Sequence, residues 1–129
     1  MDVVVTCPKT RWHEWLAEGG LPGETVLNGT AYYWFGRGSV PRIAVGELVY
    51  VVAHGHLRGY APLVRIEYRG NRPPSWWWPE ADWALVREGG AVACTIAQSI
   101  RGFPGVRYRG WDRSDEIAFP GWKQEGVSS

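Results

Sequence analysis

Two apolar stretches joined by a short turn constrain the fold of this chain more than any other feature. Leu48–Ala53 is an almost continuous apolar run, which is typical of a strand whose two faces are both buried. After a turn at His54–His56, the stretch Leu57–Glu67 predicts a second long strand, in which Gly59 indicates a bulge or a close approach. The aromatic run Tyr32–Phe35 predicts a strand upstream of this pair. We therefore expect a domain organised around a central β-hairpin.

Shorter runs of apolar and β-branched residues predict further strands around the hairpin. These runs are Asp2–Thr6, Trp83–Arg87, Ala91–Ile100, Val106–Trp111 and Ile117–Trp122. Residues 8–17 instead carry Trp12, Trp15 and Leu16 at helical spacing and end before two glycines, which predicts a helix packed against the strands.

These elements together define the expected architecture. We predict an α+β fold, a small mixed β-barrel of about six or seven strands with one or two short helices packed against it. The barrel is expected to form a single domain over residues 1–123, followed by a flexible tail over residues 124–129.

Length and composition exclude several classes of protein. The chain has 129 residues, 45% of them hydrophobic, which is enough for one core. Its longest apolar run is shorter than the roughly 20 residues that a membrane-spanning helix needs. Residues 1–7 lack the basic start and the apolar stretch of a signal peptide, so we expect a cytoplasmic protein. Cys7 and Cys94 are too few for a disulfide framework and are expected to be buried thiols, with a Cys7–Cys94 bridge as the alternative.

The charge is close to balanced overall but unevenly distributed. The formal net charge is +1, which gives no strong bias toward polyanions. Residues 36–72 nevertheless carry six arginines against two glutamates, and residues 99–113 carry four arginines against one aspartate. The positive charge is therefore expected on the predicted sheet.

Tryptophan is unusually abundant, with nine residues, and Trp76, Trp77 and Trp78 are consecutive. Prolines on both sides of these three exclude a central strand and predict a long loop over residues 69–83. A GC-rich coding sequence would raise Trp, Gly, Pro and Arg together, but it does not readily explain three in a row. The loop is either a hydrophobic lid over the barrel or a ligand surface.

The order of the central segments resembles the PUA-like superfamily, the small barrels that include the EVE, ASCH and YTH domains. The resemblance is carried by Pro41-x-Ile43-x-x-Gly46-Glu47-x-Val49-Tyr50, by Gly59-Tyr60-Ala61-x-Leu63, and by the late strand from Gly105 to Trp111. The Gly-x-Lys-x-x-Glu-x-Arg motif of the ASCH members is absent, because Lys9-Thr10 lacks the preceding glycine and the following Glu-x-Arg.

The resemblance implies a nucleic-acid-binding module, for DNA or RNA, that holds a modified or flipped-out base in an aromatic cage. Stacking walls and phosphate-binding cations are the parts that such a cage requires. The candidate walls are Trp34, Trp76, Trp77, Trp78, Trp83 and Trp111, and the candidate cations are Arg37, Arg58, Arg107 and Arg109. Asp112 and Ser99 are candidates for reading the base edge. Gly36-Arg37-Gly38 is either a place where a phosphate approaches the backbone or a plain turn.

Two alternatives remain open. A small hydrolase acting on a modified nucleoside would use Lys9, Thr10 and Glu67, although nothing in their spacing requires this. A domain that binds a protein partner would use the tryptophan loop. The three histidines do not supply the ligand count of a zinc site, so we predict no metal and no cofactor. The pattern favours a binding module over an enzyme, assigns no catalytic residue, and leaves the oligomeric state undetermined.

Overall fold

The computed structural model describes residues 1–8, 32–88 and 91–118, which form two open β-sheets. The strands are β1 (Val3–Thr6), β2 (Tyr32–Gly36), β3 (Leu48–Ala53), β4 (His56–Pro62), β5 (Arg65–Tyr68), β6 (Trp83–Arg87), β7 (Val92–Thr95), β8 (Arg107–Tyr108) and β9 (Ile117–Ala118). A 3-10 turn at Arg113–Asp115 precedes β9. One sheet has the order β8-β1-β3-β4-β7-β9, and the other has the order β2-β6-β5.

The hairpin of β3 and β4 lies at the centre of the six-stranded sheet, as the sequence predicts. Its turn has positive φ angles at His54 (52°) and Gly55 (78°), the pattern of a tight hairpin turn that matches the strand twist. The register shifts so that Val51 pairs with Gly59 and Val52 pairs with Leu57. This register shift leaves Arg58 as the extra residue next to Gly59, where the sequence predicts a bulge or a close approach.

The stretch predicted as one strand from Leu57 to Glu67 is in fact two strands in different sheets. Pro62 ends β4, and the next two residues carry the chain across to the smaller sheet. The N–H of Leu63 still donates to the carbonyl of Glu47 at 2.8 Å, whereas the N–H of Val64 donates to the carbonyl of Val86 at 2.9 Å. The crossing therefore occurs within two residues.

The two sheets pack face to face. Because alternate residues of a strand point to opposite faces, each sheet has one face toward the other sheet and one face outward. Val3, Val5, Val49 and Val51 of the larger sheet share a core with Leu85 of the smaller one. The outer face of the larger sheet carries a second cluster, formed by Val4, Tyr50, Val52, Leu57, Cys94 and Ile96. The outer face of the smaller sheet carries a third, with Trp77, Ala81 and Ala84 at its centre.

The described part of the chain is therefore arranged in four layers. The segment over residues 96–116, interrupted by the edge strand β8, covers the outer face of the larger sheet, since its residues Ile100, Phe103 and Trp111 pack against the second cluster. The tryptophan loop covers the outer face of the smaller sheet, where Tyr33 and Phe35 pack against the third cluster.

This architecture corrects the expected fold class. The prediction of a closed, mixed barrel with packed helices is wrong: the sheets are open, and residues 1–8, 32–88 and 91–118 contain no α-helix. The barrel prediction failed because strand signals do not record that the chain changes sheets after Pro62. The helix predicted over residues 8–17 falls, apart from Pro8, outside the described residues. Among the described residues, no helix is long and apolar enough to cross a membrane.

Several strand predictions were correct in position but too long. Ala91–Ile100 contains only the four-residue β7, and Val106–Trp111 contains only the two-residue β8. Residues 96–100 and 109–111 of these stretches leave the sheet and belong to the covering segment.

Candidate ligand-binding cleft

A cleft of about 500 Å³ lies between the outer face of the larger sheet and the segment that covers it. Its apolar lining comes from Val4, Ile96, Ile100, Phe103, Tyr108 and Trp111. Its polar side chains are Gln98, Arg107, Asp112 and Asp115. The volume is within the range of sites that bind small organic molecules, and such sites combine apolar walls with a few polar groups.

Arg107 is positioned by an aromatic ring. It lies on the edge strand β8, where its guanidinium carbon is 4.2 Å from the centre of the Phe103 ring. This is a cation–π geometry, which orders the otherwise flexible side chain. Phe103 is tied in turn to β1, because its backbone N–H donates to Oγ1 of Thr6 at 3.1 Å. A planar cation is therefore held at the cleft on a fixed support.

Trp111 is fixed through its indole and its backbone. Its Nε1–H donates to Oε2 of Glu116 at 3.0 Å, and the same oxygen accepts a hydrogen bond from the hydroxyl of Tyr50 at 2.6 Å. The rings of Tyr50 and Trp111 meet edge to face with centroids 5.2 Å apart. Arg109 donates to the carbonyl of Trp111 and pairs with Asp2 at 3.2 Å. The indole is therefore pre-organised at the wall of the cleft.

Two buried groups at this site, the hydroxyl of Tyr50 and the thiol of Cys94, stay protonated at neutral pH. Burial, with the hydrogen bond to Glu116 as a second cause, raises the pKa of Tyr50 well above its usual value. Burial also raises the pKa of the Cys94 thiol to about 12. Cys94 is thus a protonated core thiol at neutral pH and not a nucleophile.

Two carboxylates come from the 3-10 turn that follows Trp111. Asp112 caps this turn by accepting hydrogen bonds from the backbone N–H and the hydroxyl of Ser114, both at 2.9 Å. These bonds lower the pKa of Asp112, with the backbone bond as the larger cause, so the group is ionised at neutral pH. The N–H of Asp115 donates to the carbonyl of Asp112 at 2.9 Å, which holds the two residues on one turn.

Of the ten residues that the sequence suggests for a base-binding cage, the cleft brings together Arg107 and Trp111. Arg109 lies beside them, but it binds Asp2 and the backbone of Trp111. Ser99, suggested for the base edge, is exposed and does not line the cleft, whereas Asp112 does.

Three more of the ten are buried or half-buried elsewhere in the fold, two of them at the core between the sheets. Trp83 is buried, and half-buried Trp34 packs near it with ring centroids 6.1 Å apart. Arg58 is 1% exposed, and its Nε–H donates to the carbonyl of Ala53 at 2.8 Å. A phosphate in solution cannot reach such a buried guanidinium.

The Gly36-Arg37-Gly38 stretch, which ends β2 and enters a bend, supports Trp83. The carbonyl of Gly38 accepts from the indole Nε1–H at 3.0 Å, and its N–H donates to Asp82 at 2.8 Å. This backbone donor already has a carboxylate partner. Arg37 is exposed and lies 3.6 Å from Glu80.

The three consecutive tryptophans lie on the opposite outer face from the cleft. Trp77 is 4% exposed, packs edge to face on Phe35, and donates its indole N–H to the carbonyl of Ala81 at 3.0 Å. Trp76 and Trp78 are 57% and 47% exposed. The loop therefore buries its middle ring as a lid on the smaller sheet and presents the two outer rings to solvent.

The residues suggested for a hydrolase do not form a described catalytic group. Lys9 and Thr10 lie outside the described residues. Glu67 accepts from the hydroxyl of Tyr33 and from Arg65, both at 2.7 Å, and these bonds lower its pKa. Within residues 1–8, 32–88 and 91–118, no group of three or more His, Cys, Asp or Glu side chains could hold a metal ion.

The sequence pattern does not identify four residues at or beside the cleft, namely Gln98, Phe103, Asp115 and Glu116. Phe103 stands among glycines and a proline, which indicated only a chain break. Asp115 and Glu116 lie in a polar run, Asp112–Glu116, which favours a turn but indicates no particular ligand. The signal that could have found the turn is the spacing Asp112-x-Ser114, since an aspartate two residues before a serine commonly caps a turn.

No family model, curated protein or solved structure matches this chain. The relationship to the PUA-like superfamily stays a prediction.

Proposed function

We propose that the protein is a nucleic-acid-binding module that takes one nucleobase, modified or flipped out, into the cleft between the covering segment and the larger sheet. The single observation that supports this proposal is the composition of the cleft. Aromatic rings, a planar cation and hydrogen-bonding groups surround one opening of about 500 Å³.

The aromatic walls suit a flat heterocycle. Trp111 is already held by Glu116 and Tyr50, so a base that stacks on it does not bear the entropic cost of ordering a tryptophan. A base–aromatic stack contributes about 1–3 kcal/mol. The guanidinium of Arg107 is supported by Phe103 and offers either a second planar surface or a partner for a flanking phosphate.

The charge around the cleft indicates that stacking contributes more than phosphate contacts. Arg101, Arg107 and Arg113 are exposed on the covering segment, but Asp112 and Asp115 lie on the same segment. A balanced surface neutralises few phosphates. Binding should therefore weaken only modestly as salt is raised.

The test is calorimetric titration of the protein with short single-stranded DNA and RNA oligonucleotides, with and without modified bases. Trp111→Leu should weaken binding about 5- to 150-fold, the equivalent of one lost stack. Arg107→Ala should weaken it as well. Trp78→Leu is the matched control, because this indole is exposed on the opposite face of the molecule. Absence of binding by the wild type, or equal losses in Trp111→Leu and Trp78→Leu, would contradict the proposal.

A second candidate function is self-association through the tryptophan loop. Trp76 and Trp78 are two exposed indoles on a rigid base, and exposed apolar patches of this kind commonly mark contact sites. Two arginines near the loop are paired with acids, Arg37 with Glu80 and Arg65 with Glu67, which reduces the charge repulsion that a second copy of the chain would meet. Sedimentation velocity should show a dimer that Trp76→Ser/Trp78→Ser abolishes. A wild-type monomer at high concentration would contradict it.

A further inference from the structure

The polar groups of the cleft differ in the hydrogen bonds they offer. The guanidinium of Arg107 only donates hydrogen bonds, whereas the carboxylates of Asp112 and Asp115 only accept them. Gln98 can do both. A ligand that satisfies these groups needs an edge with acceptors and an edge with donors.

Asp112 has one oxygen committed within the turn. Both hydrogen bonds from Ser114 end at Oδ1, so Oδ2 is the oxygen that a ligand N–H would reach. Because Asp115 is held on the same turn, a ligand edge placed there would meet two carboxylates. That environment favours adjacent N–H donors and disfavours a carbonyl oxygen.

Guanine differs from the other bases in this respect. Its Watson–Crick edge has N1–H beside the N2 amino group, two neighbouring donors that match a carboxylate. Its O6 and N7 are the acceptors to which arginine donates in the commonest specific base contact. Adenine and cytosine place an acceptor beside their amino group, and uracil places its N–H between two carbonyl oxygens.

We infer that the cleft is selective for guanine, with Asp112 or Asp115 accepting from N1–H and the N2 amino group, and Arg107 donating to O6 and N7. This inference rests on the proposed function, since it names the base that the same cleft would take.

The experiment compares the 5′-monophosphates of guanosine, inosine, adenosine, cytidine and uridine by calorimetry against the wild-type protein. The phosphate and ribose are the same throughout, so differences report the base. GMP should bind at least about tenfold more tightly than AMP, CMP or UMP, the discrimination expected of a good bidentate contact. IMP, which lacks the N2 amino group, should bind more weakly than GMP.

Variants then assign the contact. Asp112→Asn keeps a side chain that can cap the turn, and Asp115→Asn keeps the shape of the other carboxylate. At least one of them should reduce the affinity for GMP to that for AMP. Asp82→Asn is the matched control, because Asp82 bonds to Gly38 beside the smaller sheet and should leave the preference unchanged.

The outcomes separate the two proposals. Equal affinity for all five nucleotides, or a guanine preference retained in both aspartate variants, overturns the guanine inference, and the oligonucleotide titration with Trp111→Leu then decides whether nucleobase binding stands. If neither the nucleotides nor the oligonucleotides bind, the proposed function itself fails.

Discussion

The hydroxyl of Tyr50 and the carboxylate of Glu116, 66 positions apart in sequence, are joined by a 2.6 Å hydrogen bond. The same carboxylate oxygen holds the indole of Trp111. A buried tyrosine of the central strand thereby fixes, through one acid, the aromatic wall of the cleft. The geometry of the cleft thus depends on a residue that does not line it.

Glu116→Ala should destabilise the protein by about 1–3 kcal/mol, because the buried hydroxyl of Tyr50 would lose its acceptor. It should also release the indole of Trp111, whose N–H would then exchange faster with solvent. Urea denaturation and indole hydrogen exchange by NMR measure the two effects. Glu116→Gln is the control: its amide oxygen can still accept both bonds, so both effects should be small. Equal behaviour of the two variants would show that the acceptor is unimportant.

Gly36→Ala should destabilise the smaller sheet. A Cβ built at Gly36 would lie 2.2 Å from the buried indole of Trp83, which is too close for any side chain. The ring or the strand must therefore move, and overpacking of this kind costs about 1–3 kcal/mol. In Gly110→Ala, the matched control, the added Cβ meets no atom within 4 Å. Thermal denaturation should separate the two variants, and equal melting temperatures would contradict the packing described.

The three consecutive tryptophans should differ sharply when each is replaced. Trp77→Ala removes a buried ring and its hydrogen bond to Ala81, and should cost about 3–5 kcal/mol of unfolding free energy. Trp76→Ala and Trp78→Ala remove exposed rings and should cost less than about 1 kcal/mol each. Chemical denaturation of the three variants provides the comparison. Similar losses in all three would mean that the loop does not bury its middle ring.

Cys94 should make the protein less stable at alkaline pH. Its folded-state pKa is about 12 against an ordinary value of 9.0, because burial disfavours the thiolate. The stabilisation from this raised pKa is complete below pH 9 and is lost as pH rises toward 12. The loss can reach about 1.4 kcal/mol per pH unit.

The measurement for Cys94 is urea denaturation at several pH values from 8 to 11. The stability difference between wild type and Cys94→Ala should shrink as pH rises, since the variant has no thiol to ionise. Ile96→Val, in the same cluster, should keep a constant difference from wild type. A constant difference for Cys94→Ala would contradict the burial of the thiol.

The local sequence pattern predicted strands and turns correctly where they depend on interactions between residues close together in the chain. The predicted bounds of Leu48–Ala53 and Trp83–Arg87 coincide with the strands observed, because a continuous apolar run is the direct consequence of burial on both faces. The hairpin turn and the irregularity near Gly59 were also predictable, because both depend on residues close together in the chain.

The sheet to which a strand belongs could not be predicted in this way. Val64 leaves the larger sheet because its N–H finds the carbonyl of Val86, 22 positions away, and no short-range signal encodes that partner. The candidate site was only partly predictable for a related reason. Trp111 and Arg107 were identifiable by residue type, but burial on different faces separates them from the other tryptophans.

The four-layer arrangement has a consequence for valency. The cleft and the exposed indoles of Trp76 and Trp78 lie on opposite outer faces, with two packed sheets between them. Stacked sheets are about 10 Å apart, so two chains joined through their tryptophan loops would direct their clefts outward, separated by several layers. Such a pair could engage two distant points on one strand, or two separate strands, and would gain avidity without any change in either cleft.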